Sequence, residues 1–307
     1  MTGLDRRENY LRAEVLDIQP VTPHLLRVRF GGAGLVDFQV TRHLDQRVHI
    51  ALPAPTDAEP PAPVLVDGRS IYPADGAQPE IRNYTVRSWD AVRHELTVDF
   101  AVHSHGLAVD WVRHAAPGSV VYLNADVGWF RPPPEATWYL LLADTAGLPA
   151  LARILEQPLD EVTVFAAVEV GDASELRYWR HDDYPSGEQP GTVDLRWLIG
   201  SGNDRGESRL PEHVAAFQPP PGHGYVWAAT ECATARAIRK HVRGAWGMSH
   251  TQMDVVGYWR RNQDAWLKRY TRVAPEIEAL WTAALADGKT EDEAEELCDE
   301  ALERAGL

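Results

Sequence analysis

The stretch TWYLLLADTAGLPALARILEQ, residues 137–157, decides the fold class of this chain. Its first eight residues are almost continuously apolar, which is typical of a parallel strand that is buried on both faces. The strand passes directly into a segment that places Leu148, Leu151 and Leu155 on one side of a helix. The stretch therefore predicts a strand followed by a helix in an α/β domain.

Strand-like segments continue after this unit. They occupy residues 161–170, 192–200, 224–230 and 252–259, and a predicted helix over about residues 232–246 separates the last two. Strands that alternate with helices form a parallel sheet with helices on both faces. We therefore predict a doubly wound parallel α/β domain in this part of the chain.

The first third of the chain has a different pattern, because its apolar residues alternate with polar ones. The longest example is Leu96, Val98, Phe100 and Val102, and residues 26–30 and 48–52 repeat the alternation. Such a pattern is typical of antiparallel strands with one solvent-exposed face. Several short strands separated by loops rich in proline and acids indicate a small barrel or a sandwich.

The two patterns meet at three consecutive prolines, residues 132–134, so we place the domain boundary there. After Trp259 the chain is predicted to be helical to its end. One helix carries Trp266 and Tyr270, Pro275 is expected to start a second, and Thr290 to Glu293 spells a capping box before an acidic helix. Apolar residues recur on one side of this last helix, so its acidic side is expected to face solvent.

Composition excludes several classes of protein. The 307 residues carry a formal net charge of −15, which argues against nucleic-acid binding. No apolar run approaches the length of a membrane-spanning helix, and the amino end lacks the apolar core of a secretory signal, so we expect a cytoplasmic protein without membrane insertion. Only two cysteines are present, far apart, which argues against an iron–sulfur cluster or a cysteine-rich zinc site.

The motif RNYTVR, residues 82–87, carries the first functional signal. In a strand, Arg82 and Tyr84 share one face while Thr85 and Arg87 share the other. A guanidinium suits a phosphate, a phenol ring suits stacking, and a threonine hydroxyl can form one directed hydrogen bond. On spacing alone, arginines on the solvated face of a barrel strand explain the pattern equally well.

A second signal follows in VDFAVHSHGLAVDW, residues 98–111. Here a predicted strand leads into Gly106 and then a short helix from about Leu107, and the free N–H groups at a helix start suit a pyrophosphate. His103 and His105 lie two apart and could ligate a metal, but no third ligand is evident nearby. We therefore expect no metal site.

These motifs together resemble the siderophore-interacting proteins, a branch of the ferredoxin-reductase-like flavoproteins. RNYTVR is similar to the family's R-x-Y-[ST]-x-R flavin motif, and further similarities follow in chain order over roughly residues 10–262, in VDFAVH, GLAVDW, WYLLLADTAGLPALARILE, GYVWAATECATARAIRKHV and GYWRR. The resemblance implies an antiparallel six-stranded flavin-binding β-barrel over residues 1–133. It also implies an NAD(P)H-binding-like doubly wound parallel α/β domain over residues 134–262 and a C-terminal helical extension over residues 263–307.

The resemblance also implies the residues of the cofactor site. Tyr84 would stack on the flavin ring and Thr85 would hydrogen-bond near its reactive edge, which makes these two the expected catalytic residues. Arg82 would bind the pyrophosphate, whereas Arg87 is expected to pair with a surface carboxylate. The other expected cofactor contacts are Asn83, His103, Gly106, Leu107, Ala108, Trp111 and, on the nicotinamide side, Asp144 and Glu231.

The implied activity is FAD-dependent reduction of a ferric siderophore. NAD(P)H would give a hydride to FAD, and FAD would pass single electrons to Fe(III), with reduced ferredoxin as an alternative donor. An anionic chelate needs a basic patch in this acidic protein. The candidates are Arg131, Arg260, Arg261 and Lys268, each of which could equally belong to a solvated face. A general flavin or quinone reductase and a non-catalytic ferric-siderophore binder remain alternatives.

The sequence departs from the family pattern in two places. The family's D-E-T-A-L-P-A becomes DTAGLPA from Asp144 to Ala150, and its A-G-E becomes Ala229-Thr230-Glu231. Both places lie where strands end and helices begin, which is where nucleotides bind in such sheets. The alternative interpretation is that these residues only cap helices, and for Thr145 we favour that role.

Overall fold

A computed structural model of the chain describes residues 8–73, 76–103, 106–157, 159, 162–180, 193–203 and 205–307. His105, which we considered as a metal ligand, lies outside these residues. Within them, no helix is long and apolar enough to cross a membrane.

The N-terminal part is an antiparallel barrel, as predicted. Its elements are β1 (Leu11–Thr22), β2 (Leu25–Gly31), a 3₁₀ helix (Ala33–Asp37), β3 (Arg47–Leu52), β4 (Val64–Val66), β5 (Arg69–Ile71), β6 (Glu80–Thr85), β7 (Ser88–Asp90), β8 (Glu95–Ala101), α1 (Leu107–His114) and β9 (Val120–Ala125). Seven of these strands form one sheet in the order β6-β3-β9-β1-β2-β8-β7, while β4 and β5 form a separate hairpin.

The barrel closes at the segment between β6 and β7. The backbone N–H of Val86 donates to Gln46 on the β3 side, and the N–H of the next residue, Arg87, donates to Thr97 on the β8 side. The sheet has seven strands where six were expected, because the chain continues from β6 into the short β7 along this seam. Inside, Ile50, Phe100 and Leu123 are fully or almost fully buried, and α1 covers one end with Val109 and Val112.

The second part is a parallel α/β unit. Its elements are β10 (Trp138–Ala143), α2 (Leu148–Leu155), β11 (Thr163–Val170), a 3₁₀ helix (Ala173–Arg180), β12 (Val193–Ile199), α3 (Leu210–Ala216), β13 (Gly224–Glu231), α4 (Cys232–Trp246), a 3₁₀ helix (His250–Gln252) and β14 (Met253–Trp259). The strand order β12-β11-β10-β13-β14 reverses direction at β10, so the doubly wound fold is confirmed. The switch point between β10 and β13 marks where ligands bind in such sheets.

The stretch that predicted this fold forms the centre of the sheet. All six residues of β10 are buried, and Leu148, Leu151 and Leu155 of α2 are buried in the cluster on one face of the sheet. Ile238 and Val242 of α4 belong to the cluster on the other face. The predicted boundaries at residues 133 and 262 stay predictions, and both fall between described strands and helices.

The C-terminal part is a helical hairpin of α5 (Gln263–Ala286) and α6 (Glu291–Arg304). The expectation that Pro275 starts a new helix is wrong, because Pro275 lies inside α5. The capping box of α6 is present, since Thr290 accepts from the Glu293 N–H at 3.2 Å and Glu293 accepts from the Thr290 N–H at 2.8 Å.

The acidic side of α6 is not simply a solvated face. Asp299 lies 3.5 Å from Arg236 and 3.4 Å from Arg239, and Glu303 lies 3.2 Å from Lys240. The arginine side chains are mostly buried, at 11% and 16% exposed. The expectation of a solvated acidic face is therefore wrong for Asp299, because α4 presents basic side chains that the sequence pattern of α6 alone does not reveal. It holds for Glu303, which is 39% exposed.

Gly147 is a steric requirement of the switch point. A Cβ atom there would lie 2.1 Å from the carbonyl oxygen of Ala229, because the start of α2 approaches β13 closely. The backbone φ of Gly147 is −82°, so space and not backbone conformation demands the glycine.

We expect Gly147→Ala to lower the free energy of unfolding by about 1–3 kcal/mol through overpacking, measured by urea denaturation. Gly244→Ala in α4 is the matched control, since its Cβ would meet nothing within 4 Å and alanine favours the helix by up to about 1 kcal/mol. Equal unfolding midpoints for the two variants would contradict the steric explanation.

Candidate active site at the domain interface

The RNYTVR motif starts on β6 and ends in the segment between β6 and β7, and its two faces lie in different surroundings. Arg82 and Tyr84 pair across the sheet with Ile50 and Val48, which belong to the barrel core. Thr85 and Arg87 lie on the opposite face, where the α/β unit covers the barrel. The predicted alternation is therefore present, but the face that carries Thr85 is an interface between the two units.

Tyr84 is half-buried on the aromatic part of the barrel core. Its ring centroid lies 4.1 Å from that of Phe100, and Phe100 in turn contacts Trp111 at 5.8 Å. Burial raises the pKa of the Tyr84 phenol, so it stays protonated near neutral pH. Trp111 stacks on Phe30 and supports the core, so the structure places it behind Tyr84.

Arg82 has weak partners. Its Nη1 donates to Glu80 and to the backbone oxygen of Ile81, each at 2.9 Å, while its side chain remains 34% exposed. An ion pair between two such accessible side chains contributes little, so the guanidinium can exchange Glu80 for another anion. Asn83, the next residue, is exposed.

Arg87 is buried, and the expectation of a surface pair is wrong. Its two Nη atoms donate to Glu156, which follows α2, and its Nε donates to the Tyr178 hydroxyl at 3.1 Å. Tyr178 donates in turn to Asp99 of β8 at 2.6 Å. Arg87 therefore links the barrel to the α/β unit. The expectation failed because the α/β unit covers a strand face that the alternation predicted to be exposed to water.

Thr85 and Tyr258 each bury a hydroxyl group that lacks a normal hydrogen bond within the described part of the chain. Thr85 is only 4% exposed. Burial raises the pKa of Tyr258, and the Thr85 hydroxyl lies near enough to oppose that effect in part. An unsatisfied buried hydroxyl is costly, so this pair of groups indicates a place where a ligand supplies the missing partner.

Trp259 brings three parts of the structure together at the end of β14. Its ring stacks on His103 with centroids 6.5 Å apart, and its Nε1 donates to Asp144 at 2.6 Å. Sequence reasoning did not single out Trp259 or Tyr258, although both lie in the GYWRR segment that carried the family resemblance. Their neighbours are distant in sequence, so only the fold reveals their position.

Asp144 caps the start of α2. Its Oδ1 accepts from the N–H groups of Ala146 and Gly147 at 2.9 and 3.2 Å. Burial raises the pKa of Asp144 to about 6, and the hydrogen bond from Trp259 opposes that effect. The helix-capping role that we favoured for Thr145 is wrong, because its buried hydroxyl has no hydrogen-bond partner among the described residues.

Glu231 caps the start of α4 in the same way. It accepts from the N–H groups of Ala233 and Thr234 at 2.7 and 3.2 Å, and from the N–H of Arg261 at 3.2 Å. The helix-cap alternative therefore describes both Asp144 and Glu231. Any contact of either acid with a nicotinamide would add to these capping hydrogen bonds or replace them.

Helix α1 begins at Leu107, directly after Gly106, as the sequence pattern predicted, and its start lies beside His103. Gly106 has a φ of +137°, and a Cβ atom there would lie 3.3 Å from Cε1 of His103. Leu107 and Ala108 pack on the barrel core, while Gly106 has no side chain to cover the first N–H groups of the helix. This arrangement leaves backbone donors beside the interface.

A cavity of about 470 Å³ opens at the same interface. Its polar lining comes from the barrel through His24, His103 and Arg113, and from the α/β unit through Thr145, Asn203 and Arg205. Sequence reasoning missed His24, Arg113 and Arg205, because single basic residues in loops have no distinguishing pattern.

The structure does not gather the predicted basic residues into one patch. Arg131 donates to Asp254 at 3.1 Å, near the start of β14, whereas Arg260 and Arg261 follow its end. At about 3.3 Å per residue, the strand separates these ends by roughly 20 Å. Arg131 therefore lies at the edge of the sheet opposite the interface cavity, apart from the other basic candidates, and the role of each in substrate binding stays a prediction.

Arg260 and Arg261 are held near the carboxyl end of β14. The Arg260 guanidinium lies 3.9 Å above the ring of Trp266, and Arg261 donates to the backbone oxygen of Gly206. Lys268 is exposed on α5. Across the described ranges, no group of three or more His, Cys, Asp or Glu side chains is arranged to hold a metal ion.

Comparisons with known proteins agree with this architecture. Residues 14–128 match the siderophore-interacting FAD-binding domain, and residues 136–262 match the siderophore-interacting protein model. The chain belongs to the siderophore-interacting protein family. Its barrel is the FAD-binding domain of that family, and both helices of the C-terminal hairpin lie beyond the matched residues.

Individual known proteins resemble most of the chain. The crystal structure of a siderophore utilization protein from T. fusca superposes with a TM-score of 0.69 at 30% identity, covering 83% of this chain and 94% of that one. The NADPH-dependent ferric-chelate reductase of Escherichia coli is 28% identical over 71% of this chain and 80% of its own length. The ferric vibriobactin reductase ViuB of Vibrio cholerae is 26% identical over 80% of this chain and 87% of its own length.

The residues at the interface fit an FAD molecule. The unpartnered Thr85 and Tyr258 hydroxyls offer hydrogen bonds, Tyr84 offers an aromatic ring, and the glycine before α1 lets a ligand approach backbone N–H groups. Arg82 can exchange its exposed carboxylate partner for a phosphate.

The raised pKa of Asp144 predicts a pH effect on stability. Its folded value of about 6 lies above the ordinary 3.8, so the stabilisation is complete below about pH 3.8 and is lost as the pH rises through about 6. Between about pH 5 and 7 the wild type should lose about 1.4 kcal/mol relative to Asp144→Asn, measured by urea unfolding. Asparagine still caps α2, and Asp67→Asn in an exposed turn is the control. Parallel pH curves for wild type and Asp144→Asn would contradict the assignment.

Proposed function

We propose that this protein reduces ferric siderophores and so releases Fe(II), using NAD(P)H as the electron donor to FAD. The buried, unpartnered Thr85 hydroxyl carries the proposal, because it lies in the flavin motif and at the interface with the nicotinamide-binding-like unit. The reductase names of the Escherichia coli and Vibrio cholerae relatives support the same reaction class.

The barrel residues divide the task of holding FAD. Arg82 would bind the pyrophosphate together with the N–H groups that follow Gly106, and Tyr84 would supply a stacking surface. Phe100 fixes the position of the Tyr84 ring from behind. Asn83, Leu107 and Ala108 would line the same site. Trp111 would support the Tyr84 ring indirectly, through its contact with Phe100 in the barrel core.

FAD, when bound, accepts two electrons from a nicotinamide and releases them one at a time. Thr85 and Tyr258 would donate or accept hydrogen bonds at its edge, and their burial excludes water from that place. The indole of Trp259, held by Asp144 and stacked on His103, would close the interface on the side of the α/β unit. Asp144 and Glu231 would act there mainly by fixing the helix starts.

The substrate is proposed to be an anionic ferric chelate. Fe(III) binds hard oxygen ligands tightly, and reduction to Fe(II) weakens those bonds. Arg260, Arg261 and Lys268 follow the carboxyl end of β14 and could attract such a chelate. Arg131 is set apart from them by the length of the strand.

An anaerobic assay tests the proposal. We expect the purified protein to be yellow, to bleach when NADPH or NADH is added, and then to form Fe(II) when a ferric siderophore and the ferrous chelator ferrozine are supplied. Reduced ferredoxin in place of the nicotinamide tests the alternative donor. Bleaching without Fe(II) from catecholate or hydroxamate siderophores would leave a general flavin reductase, and a colourless protein that binds ferric siderophore would indicate a non-catalytic binder.

Thr85→Val tests the role of the orphaned hydroxyl. The variant removes a buried group without a protein partner, so the flavin-free protein should be at least as stable as wild type by thermal denaturation. FAD binding, followed by flavin fluorescence, should weaken by about ten-fold because a ligand hydrogen bond is lost.

The control is Thr271→Val, whose hydroxyl donates to the backbone of Leu267 on the exposed side of α5. Unchanged FAD affinity in Thr85→Val would contradict the assigned role.

A further inference from the structure

Strand β12 forms one edge of the parallel sheet. Among the described strands it pairs with β11 alone, in an uninterrupted register from Val193 to Ile199. Proline and bulges are two common means of keeping an edge strand from pairing with another chain, and β12 has neither. The opposite edge strand, β14, is less regular, because its register with β13 shifts after Gly257. The edge of β12 is therefore the better suited of the two to accept a further strand.

The backbone groups on the outer side of β12 belong to its odd-numbered residues. The N–H of Gly200 donates to the Val170 oxygen of β11 at 2.8 Å, and backbone groups alternate sides along a strand, so the even-numbered residues of β12 face β11. At the end of the strand, the Ile199 oxygen accepts from Arg209 at 3.5 Å. Three residues remain whose outward N–H and C=O groups bond to no other described residue: Val193, Leu195 and Trp197.

One face of β12 carries two exposed side chains of opposite charge. Arg196 donates to Asp194 at 3.0 Å, and the two side chains are 63% and 47% exposed. A cavity of about 240 Å³, lined also by Phe165 and Phe217, opens beside them, so α3 leaves this part of the face uncovered. An ion pair with such exposure contributes little to stability, and each charge can therefore exchange its present partner for another.

The opposite face of β12 is apolar. Val193, Leu195 and Trp197 pack against the core cluster of the sheet but stay partly exposed. Ile199, at the end of the strand, is 41% exposed. Covering such apolar surface removes it from water and so favours association. The edge of β12 thus offers backbone groups, charges and apolar side chains to another strand.

The charges and the free backbone groups select one register for pairing with a second copy of the chain. Two copies related by a twofold axis pair antiparallel, and the residue on the axis faces itself. An axis at Asp194 or at Arg196 would place two like charges directly opposite each other, which is destabilising. An axis at Leu195 instead places Asp194 of each copy opposite Arg196 of the other. It also pairs the residues with free backbone groups with one another, Leu195 with itself and Val193 with Trp197.

We propose that this protein forms a homodimer in which β12 pairs antiparallel with β12 of a second copy, with the twofold axis at Leu195. The parallel sheets of the two copies then form one continuous sheet. The ion pairs within the two strands are replaced by two ion pairs between them. The proposal is independent of the proposed function, because β12 holds none of the residues assigned to FAD or to the ferric chelate.

Sedimentation velocity of the full chain from ~1 to ~100 μM tests the proposal, and we expect wild type to shift from monomer to dimer over this range. Arg196→Asp and Asp194→Arg each place like charges opposite each other, so each should weaken dimerisation by about ten-fold or more. The double variant D194R/R196D restores opposite charges in the same register. It should therefore dimerise about as well as wild type.

The matched control is Arg12→Asp. Arg12 forms a similar exposed ion pair with Glu14, two residues along the same strand, but β1 has a neighbouring strand on both sides. This variant should keep the wild-type dimerisation constant.

Leu195→Cys tests the register. The Cα atoms of a hydrogen-bonded antiparallel pair lie about 5.5 Å apart, within the range of a disulfide, so oxidation should link two copies of the variant. Wild type, which carries Cys232 and Cys298, is oxidised in parallel and should stay unlinked on a non-reducing gel.

The proposal is overturned if wild type is monomeric at every concentration, or if Arg196→Asp dimerises as well as wild type. It is also overturned if the double variant, with a wild-type melting temperature, dimerises as weakly as the single variants, or if Leu195→Cys forms no disulfide-linked dimer. These outcomes do not depend on the reductase activity, which a monomer can have and a dimer can lack.

Discussion

The contact between the barrel and the α/β unit is the constraint on which the rest of the structure depends. Arg87, at the seam of the barrel, donates hydrogen bonds to Glu156 and Tyr178, and Tyr178 donates one to Asp99. A buried guanidinium left without these partners would cost several kcal/mol, so the two units are held in one relative orientation. Asp45 adds a second tie, since it accepts from Trp227 Nε1 at 3.1 Å.

That orientation assembles the candidate site from pieces that are far apart in the chain. Thr85 faces Tyr258, and His103 meets Trp259, only because the end of β14 lies against the barrel. Both pairs join a barrel residue to the carboxyl edge of the parallel sheet, where open α/β sheets place their ligands. Arg87 therefore contributes to the site indirectly, because it fixes the interface between the two units.

Local departures from the family pattern have physical reasons in this chain. Gly147 replaces a larger residue because α2 approaches the carbonyl of Ala229, and the cap of that helix is supplied by Asp144. The acidic C-terminal helix α6 lies beside a basic helix, since its Asp299 and Glu303 form ion pairs with α4. Two of the segment's acids therefore lie where another helix supplies a positively charged partner.

The sequence by itself determined the strand–helix order, the barrel, the helix at Leu107 and the flavin motif, because periodicity and short motifs are properties of neighbouring residues. Only the tertiary structure decided that Arg87 is buried, that Asp144 rather than Thr145 caps α2, and that Arg131 lies away from Arg260. It also revealed Trp259 and the pair of His24 with Glu175. The physical reason is that burial and hydrogen-bond partners depend on residues up to 182 positions apart, and no local pattern shows which of these residues come into contact.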